Sequence, residues 1–203
     1  MSDAARRVLF LPGAGGAASF WRPVGERLPP DWDKRYLSWP GLGDEPHEPG
    51  VRGFEDLVAR TVAALGDAPA DLVAQSLGGV VALRVALDHP ARVRRLVLCA
   101  TSGGLDVGAL GAADWRPDYR VAYPRAADWI TRLRLDFGAE LAAVEQPTLL
   151  VWGDADAVSP PAVGERLRAA LRNATLTVLP TRDHGFAQAL AAQVAPRIAA
   201  HLA

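Results

Sequence analysis

The sequence predicts an α/β fold, a doubly wound and mostly parallel sheet of about six strands, and three observations carry that expectation. Short β-rich runs ending in turn residues alternate with longer segments of helical period, the pattern of a parallel sheet with crossover helices. At 203 residues the chain fits one domain, long enough to bury a core. The alternation breaks once, between a run ending at Ala100 and another beginning at Thr148, a gap too long for a plain crossover.

The β-runs are Val8 to Leu11, Arg35 to Ser38, Leu72 to Gln75, Leu96 to Ala100, Thr148 to Trp152 and Thr175 to Leu179. Helical period marks Ser19 to Glu26, Phe54 to Leu65, Leu77 to Asp88, Pro161 to Leu171 and Gly185 to Ala200. Within the second of these, Phe54, Leu57, Val58 and Thr61 fall on one face, as burial against a sheet requires. The break holds an insertion at about residues 103–141, expected as a short helical lid on a single domain. It carries Trp115, Tyr119, Tyr123, Trp129 and Phe137, which suit either packing on the domain or the inner wall of a substrate pocket.

Composition narrows the function classes. A formal net charge of -1 gives no reason to expect a nucleic-acid partner or an anionic membrane surface. With 50% hydrophobic residues but no apolar run near the roughly 20 needed to span a bilayer, no membrane insertion is expected. Cys99 is the single cysteine, so neither an internal disulfide nor a cysteine-based zinc cluster can form. The apolar run after Arg6-Arg7 is too short for a signal peptide, and a cytoplasmic protein acting on a small molecule is the expectation.

The chemistry is concentrated at Ala74-Gln75-Ser76-Leu77-Gly78-Gly79, where a β-run meets a helical run. A serine raised on a tight strand-to-helix turn forces its neighbours two positions away into close contact, which Ala74 and Gly78 accommodate. Leu77 opens the helix, so its N–H and the helix dipole favour negative charge in front of Ser76. An ordinary N-cap serine is the plainer reading of the same residues.

A second segment, Phe10-Leu11-Pro12-Gly13-Ala14-Gly15-Gly16, is a strand running into a glycine-rich loop, followed by Phe20-Trp21. Its glycines match a loose dinucleotide-binding pattern, but the second strand ends Ser38-Trp39-Pro40 and lacks the acid that would hold a ribose. Histidine occurs only at His47, His89, His184 and His201, the last in a C-terminus expected to fray. Downstream, Val151-Trp152-Gly153-Asp154-Ala155-Asp156 offers two carboxylates after a β-run.

Together these segments resemble the α/β-hydrolase superfamily from about Val8 to the C-terminus, without the family's usual leading strand pair. The serine turn is similar to its G-x-S-x-G nucleophile elbow, with Ala74 at the first small position. The resemblance implies Ser76 as nucleophile and His184, which follows the last β-run, as general base. Asp156 is implied as the orienting acid, because the family's pattern there is W-G-x-x-D before an apolar residue and proline; Asp154 is then a turn residue. The chain order Ser76, Asp156, His184 is the order of that family. Backbone N–H groups of Ala14 and Leu77 are implied as the oxyanion hole, although Pro12 stands where the family usually has histidine.

The implied activity is cleavage of small-molecule carboxylic esters with small to medium acyl groups, using no cofactor and no metal. The same triad in this family also cleaves C–C bonds of dienol substrates and methyl esters of carrier-protein-bound acyl chains, and the fold survives in ligand-binding receptors. Trp21, Trp115, Tyr119, Tyr123 and Trp129 are the expected pocket walls. A lid this short is expected to leave the pocket open, favouring acetate to hexanoate. Oligomeric state is left open by the sequence.

Overall fold

A computed structural model describes residues 5–203. Its strands are β1 (Arg7–Leu11), β2 (Asp33–Tyr36), β3 (Ala70–Gln75), β4 (Val93–Cys99), β5 (Thr148–Gly153) and β6 (Ala174–Leu179). They form one sheet in the order β2-β1-β3-β4-β5-β6, every neighbouring pair parallel. The helices are α1 (Arg22–Gly25), α2 (Phe54–Leu65), α3 (Leu77–Asp88), α4 (Arg116–Ala122), α5 (Trp129–Arg132), α6 (Pro161–Ala170), α7 (Phe186–Ala189) and α8 (Ala191–Leu202).

Alternation along each strand sorts the side chains into two apolar layers. Leu9 and Leu11 of β1 pack with α2, α3 and α6, whereas Val8 and Phe10 pack with α1, α7 and α8. The expected doubly wound sheet of six strands is therefore what the chain forms. No helix among the described residues is long and apolar enough to cross a membrane.

The bounds of α2 and α3 coincide with the helical period in the sequence. At the start of α2 the Asp56 carboxylate accepts the N–H groups of Arg52 and Gly53 at 2.8 and 3.1 Å, satisfying donors the helix leaves free. Three elements differ from expectation. β2 occupies Asp33–Tyr36 instead of Arg35 to Ser38, because it is an edge strand whose register starts where Asp33 N–H meets the Arg6 carbonyl at 2.8 Å. Having one neighbour and a polar sequence, it carries no apolar alternation to mark its start.

The segment from Ser19 to Glu26 is a 3-10 turn, Ala18–Trp21, followed by α1, with Pro23 in the first turn of α1, where its missing N–H is tolerated. The C-terminal helix is broken at Leu190 into α7 and α8, and α8 runs on to Leu202. His201 thus lies in a helix, not in a fraying end, and burial pushes its imidazole below the usual pKa.

Winding reverses between β1 and β3: the chain leaves β1 toward β2 on one side and returns to β3 on the other. Loops leaving such a pair diverge and open a crevice at the carboxyl ends of the strands, where ligands bind in open α/β sheets. Here those loops are Pro12–Gly16 and the turn at Ser76.

Candidate active site

Ser76 joins β3 to α3 with φ 51° and ψ -118°, a backbone region that residues other than glycine seldom adopt. Three hydrogen bonds hold it there. Its N–H donates to the Cys99 carbonyl at 3.0 Å, and its carbonyl accepts from Gly79 N–H at 2.9 Å and from the Thr101 hydroxyl at 2.7 Å. Gly78 shows why the turn demands a small residue, since a Cβ there would stand 2.5 Å from the carbonyl oxygens of both Leu11 and Pro12. The crowding comes from the end of β1, which lies under the first turn of α3.

His184 enters on the loop after β6, with Nε2 at 3.0 Å from Ser76 Oγ and Nδ1 at 2.7 Å from Asp156 Oδ2. Asp156, 2% exposed on the loop after β5, has its other oxygen occupied: Oδ1 accepts the N–H groups of Val158 and Ser159 at 2.8 and 3.1 Å. An ionised carboxylate only accepts, so the proton between Asp156 and His184 belongs to Nδ1. Nε2 of the neutral ring is then an acceptor facing the serine hydroxyl, an arrangement able to take a proton from Oγ.

Asp154 and Asp183 stand apart from this chain of bonds. Asp154 accepts Thr181 N–H at 2.9 Å, and Asp183 accepts Gly185 N–H at 2.8 Å, both as turn residues. His47 bonds the Arg125 carbonyl at 2.8 Å, and His89 ends α3.

Sequence patterning gave no warning of several residues that fix the site. Thr101 ties the serine turn to the end of β4, and the buried Ser159 hydroxyl bonds Trp152 Nε1 and the Thr101 carbonyl at 3.1 and 3.3 Å. Gln75 Nε2 donates to the His184 carbonyl at 3.2 Å, linking the serine turn to the histidine loop. The signal available for Ser159 was its spacing, three residues after Asp156, which suits an aspartate receiving successive backbone N–H groups.

Ser76, His184, Ala14 and Leu77 line one cavity of about 970 Å³. Leu77 is the first residue of α3, so its N–H is among those a helix cannot satisfy internally. Neither it nor Ala14 N–H has a hydrogen-bond partner among the described residues. The pyrrolidine of Pro12 leaves its carbonyl to the Trp39 indole, which donates at 2.7 Å.

Of the expected pocket walls, Trp115 and Tyr119 line the cavity and three residues do not. Trp21 is fully buried in the layer on the opposite face of the sheet, where its indole N–H donates to the Leu11 carbonyl at 2.9 Å. It supports the loop after β1 from behind, because a buried indole needs an acceptor and a strand-end carbonyl offers one. Tyr123 packs on the Tyr119 ring at 5.0 Å, and Trp129 packs against the apolar layer of α2 and α3. The insertion, expected to leave the pocket open, stands over that cavity. Residues from Gly104 to Asp136 form most of the cavity lining, because the insertion extends over the crevice in short helices and turns.

The profile of the alpha/beta hydrolase fold family matches residues 6–138, and that of the TAP-like proteins matches residues 120–203. A pimeloyl-acyl-carrier-protein methyl ester esterase of Neisseria meningitidis is 32% identical over 229 aligned positions, covering 91% of this chain and 88% of that one. A solved meta-cleavage product hydrolase from Pseudomonas fluorescens has a TM-score of 0.77 at 19% identity, over 97% of this chain and 90% of that one. A hydrolase from Pseudomonas aeruginosa has a TM-score of 0.74 at 22% identity, over 97% and 91%. Structures this distant in sequence speak for the fold, and the profile with the curated relative makes this chain a hydrolase of the alpha/beta hydrolase fold family.

Proposed function

We propose that the protein is a serine carboxylesterase, acting on small-molecule esters of small to medium acyl groups. The observation that carries this reading is the continuous chain of hydrogen bonds from Ser76 Oγ through His184 to Asp156 at the floor of the cavity. Ser76 Oγ attacks the ester carbonyl while His184 Nε2 takes its proton, giving a tetrahedral oxyanion. Collapse expels the alcohol, which receives that proton from the imidazolium, and leaves an acyl-enzyme. Water then attacks the acyl group by the same route, releasing the acid and restoring the serine. Asp156 holds the imidazole in the tautomer that leaves Nε2 free and stabilises the imidazolium. The N–H groups of Leu77 and Ala14 face the oxyanion, each worth about 3 kcal/mol by comparison with measured donors. These steps need no cofactor and no metal.

The segment at about residues 103–141 acts as the lid of this single domain, with Trp115 and Tyr119 as walls for the acyl group. A cavity of about 970 Å³ lies near the top of the roughly 300–1,000 Å³ range of ligand sites. Each methylene buried there contributes about 0.8 kcal/mol, a factor of about four. On p-nitrophenyl esters kcat/KM should therefore rise from acetate to hexanoate or octanoate and fall at palmitate. Inertness toward every ester, with cleavage of dienol substrates instead, would replace the reading with C–C bond hydrolysis. Ligand binding without any turnover would make the protein a receptor.

The curated relative's substrate favours a second reading, in which the ester is the methyl ester of an acyl chain on a carrier protein. Under that reading methyl esters are cleaved much faster when carrier-bound than free, and p-nitrophenyl esters remain substrates. On either reading we place the protein in the cytoplasm.

A further inference from the structure

We propose that Tyr119, on the lid helix α4, is a positioning residue whose hydroxyl fixes the peptide that follows the Ala14 oxyanion donor and so steadies that donor. This rests on the esterase reading above. The Tyr119 hydroxyl accepts the Gly43 N–H at 2.9 Å and donates to the Ala14 carbonyl at 2.8 Å. The direction is unambiguous, because an amide N–H only donates, a carbonyl only accepts, and a phenol has one proton. The ring is 8% exposed and lines the cavity that holds Ser76.

The consequence appears when the carbonyls of the loop are followed in order. Leu11 O accepts the Trp21 indole at 2.9 Å, and Pro12 O accepts the Trp39 indole at 2.7 Å. Gly13 O accepts Gly16 N–H at 3.0 Å, and Ala14 O accepts Tyr119. Peptides are planar and trans, so anchoring the Gly13 carbonyl sets the direction in which Ala14 N–H points. Anchoring the Ala14 carbonyl fixes the next plane, and with it both torsions of Ala14. Three of these anchors belong to the domain beneath, whereas the fourth arrives from the insertion. The other end of the bridge is equally constrained. Gly43 has φ 57°, and a Cβ there would collide with the Gly15 carbonyl, so the loop after β2 meets the Ala14 loop backbone to backbone.

The oxyanion donor is therefore held on one side by the loop's own Gly16–Gly13 bond and on the other by α4, and the segment that walls the acyl group also completes the hole. Tyr119→Phe removes one hydroxyl and keeps the ring wall. An imperfectly aimed donor affects the transition state and not substrate binding, so the two kinetic constants should separate. Referred to the fraction of chains titrated by a fluorophosphonate, kcat of Tyr119→Phe on p-nitrophenyl hexanoate should fall roughly 10- to 100-fold, less than the roughly 10²–10³ for outright removal of a donor. KM should change less than about threefold. A trifluoromethyl ketone, to which Ser76 Oγ adds as its proton passes to His184, forms a hemiketal oxyanion in the same hole. Its inhibition constant should rise by the same factor as kcat falls. Tyr123→Phe, which removes a neighbouring phenol outside this bridge, should leave all three within about twofold.

Because rates are referred to titrated sites, a variant that folds poorly still reports. Unchanged kcat and ketone affinity in an active Tyr119→Phe protein would overturn the inference and leave the esterase reading standing. A wild type that is neither labelled nor active on any ester would remove both.

Discussion

Asp71 and Asp156 are both buried aspartates at opposite ends of one parallel sheet, and their surroundings differ in kind. Asp71 sits near the amino end of β3, its side chain fully buried, with Arg6 and Arg94 each at 3.0 Å from Oδ2. It lies where the β3–β4 register slips, between Ala70 and Leu72, and the two arginines neutralise it in place. Asp156 lies beyond the carboxyl end of β5 with its side chain 1% exposed, and no arginine or lysine reaches it among the described residues. Two backbone N–H groups and one imidazole N–H solvate it instead. The first carboxylate has its charge cancelled and serves the fold. At the second the charge is solvated without being cancelled, so under the proposed mechanism it would favour a positive imidazole when a proton arrives from Ser76.

That contrast predicts opposite behaviour for the same chemical change. Asp156→Asn should lower kcat roughly 10⁴-fold, because the amide can donate to Nδ1 and so favour the wrong tautomer. Its melting temperature should stay within a few degrees of wild type. A lowered melting temperature with kcat per titrated site unchanged would show that Asp156 is a structural residue like Asp71.

Gly78→Ala tests the same end of the sheet through packing. Its new methyl meets backbone oxygens, not a movable side chain, so the end of β1 and the loop carrying Ala14 must retreat. Stopped ester assays should show kcat reduced at least tenfold, and unfolding should be easier by about 1–3 kcal/mol.

Asp71→Asn should leave kcat per titrated site unchanged while lowering stability. Removing one member of a buried ion pair costs about 3–5 kcal/mol, and the value here should be nearer 2–3 because Arg6 and Arg94 are 24% and 39% exposed and can turn to water. In a chain of this length that is a fall of roughly 4–12 °C, measurable by calorimetry. The smallest effect is expected for Asp154→Asn, whose amide oxygen still accepts the Thr181 N–H. Activity within about twofold and melting within about a degree are expected, and a loss matching that of Asp156→Asn would move the acid two residues upstream.

Much of this was legible because the signals were local and periodic. The small residues flanking Ser76, the helical face of Phe54, Leu57, Val58 and Thr61, and the run from Val151 to Asp156 each reflect a constraint that neighbouring residues impose on one another. What escaped depended on partners far along the chain. Trp21 reads as an aromatic beside a glycine loop whichever face of the sheet its ring takes, and only the Leu11 carbonyl settles that it faces the core. Thr101 reads as the start of an insertion until the carbonyl of Ser76 is found above its hydroxyl. Tyr119 was readable as a pocket wall, but its bridge joins residues 76 and 105 positions away, a separation no pattern in sequence encodes. β2 was displaced for a related reason, since its register is chosen by Arg6 and not by any periodicity of its own.

The most direct test of the central claim is the site at which a fluorophosphonate attaches. Peptide mapping of the fully labelled wild-type protein should find one adduct, on Ser76, and Ser76→Ala should take up no label while melting as the wild type does. An adduct on another serine, or label retained by Ser76→Ala, would contradict the account.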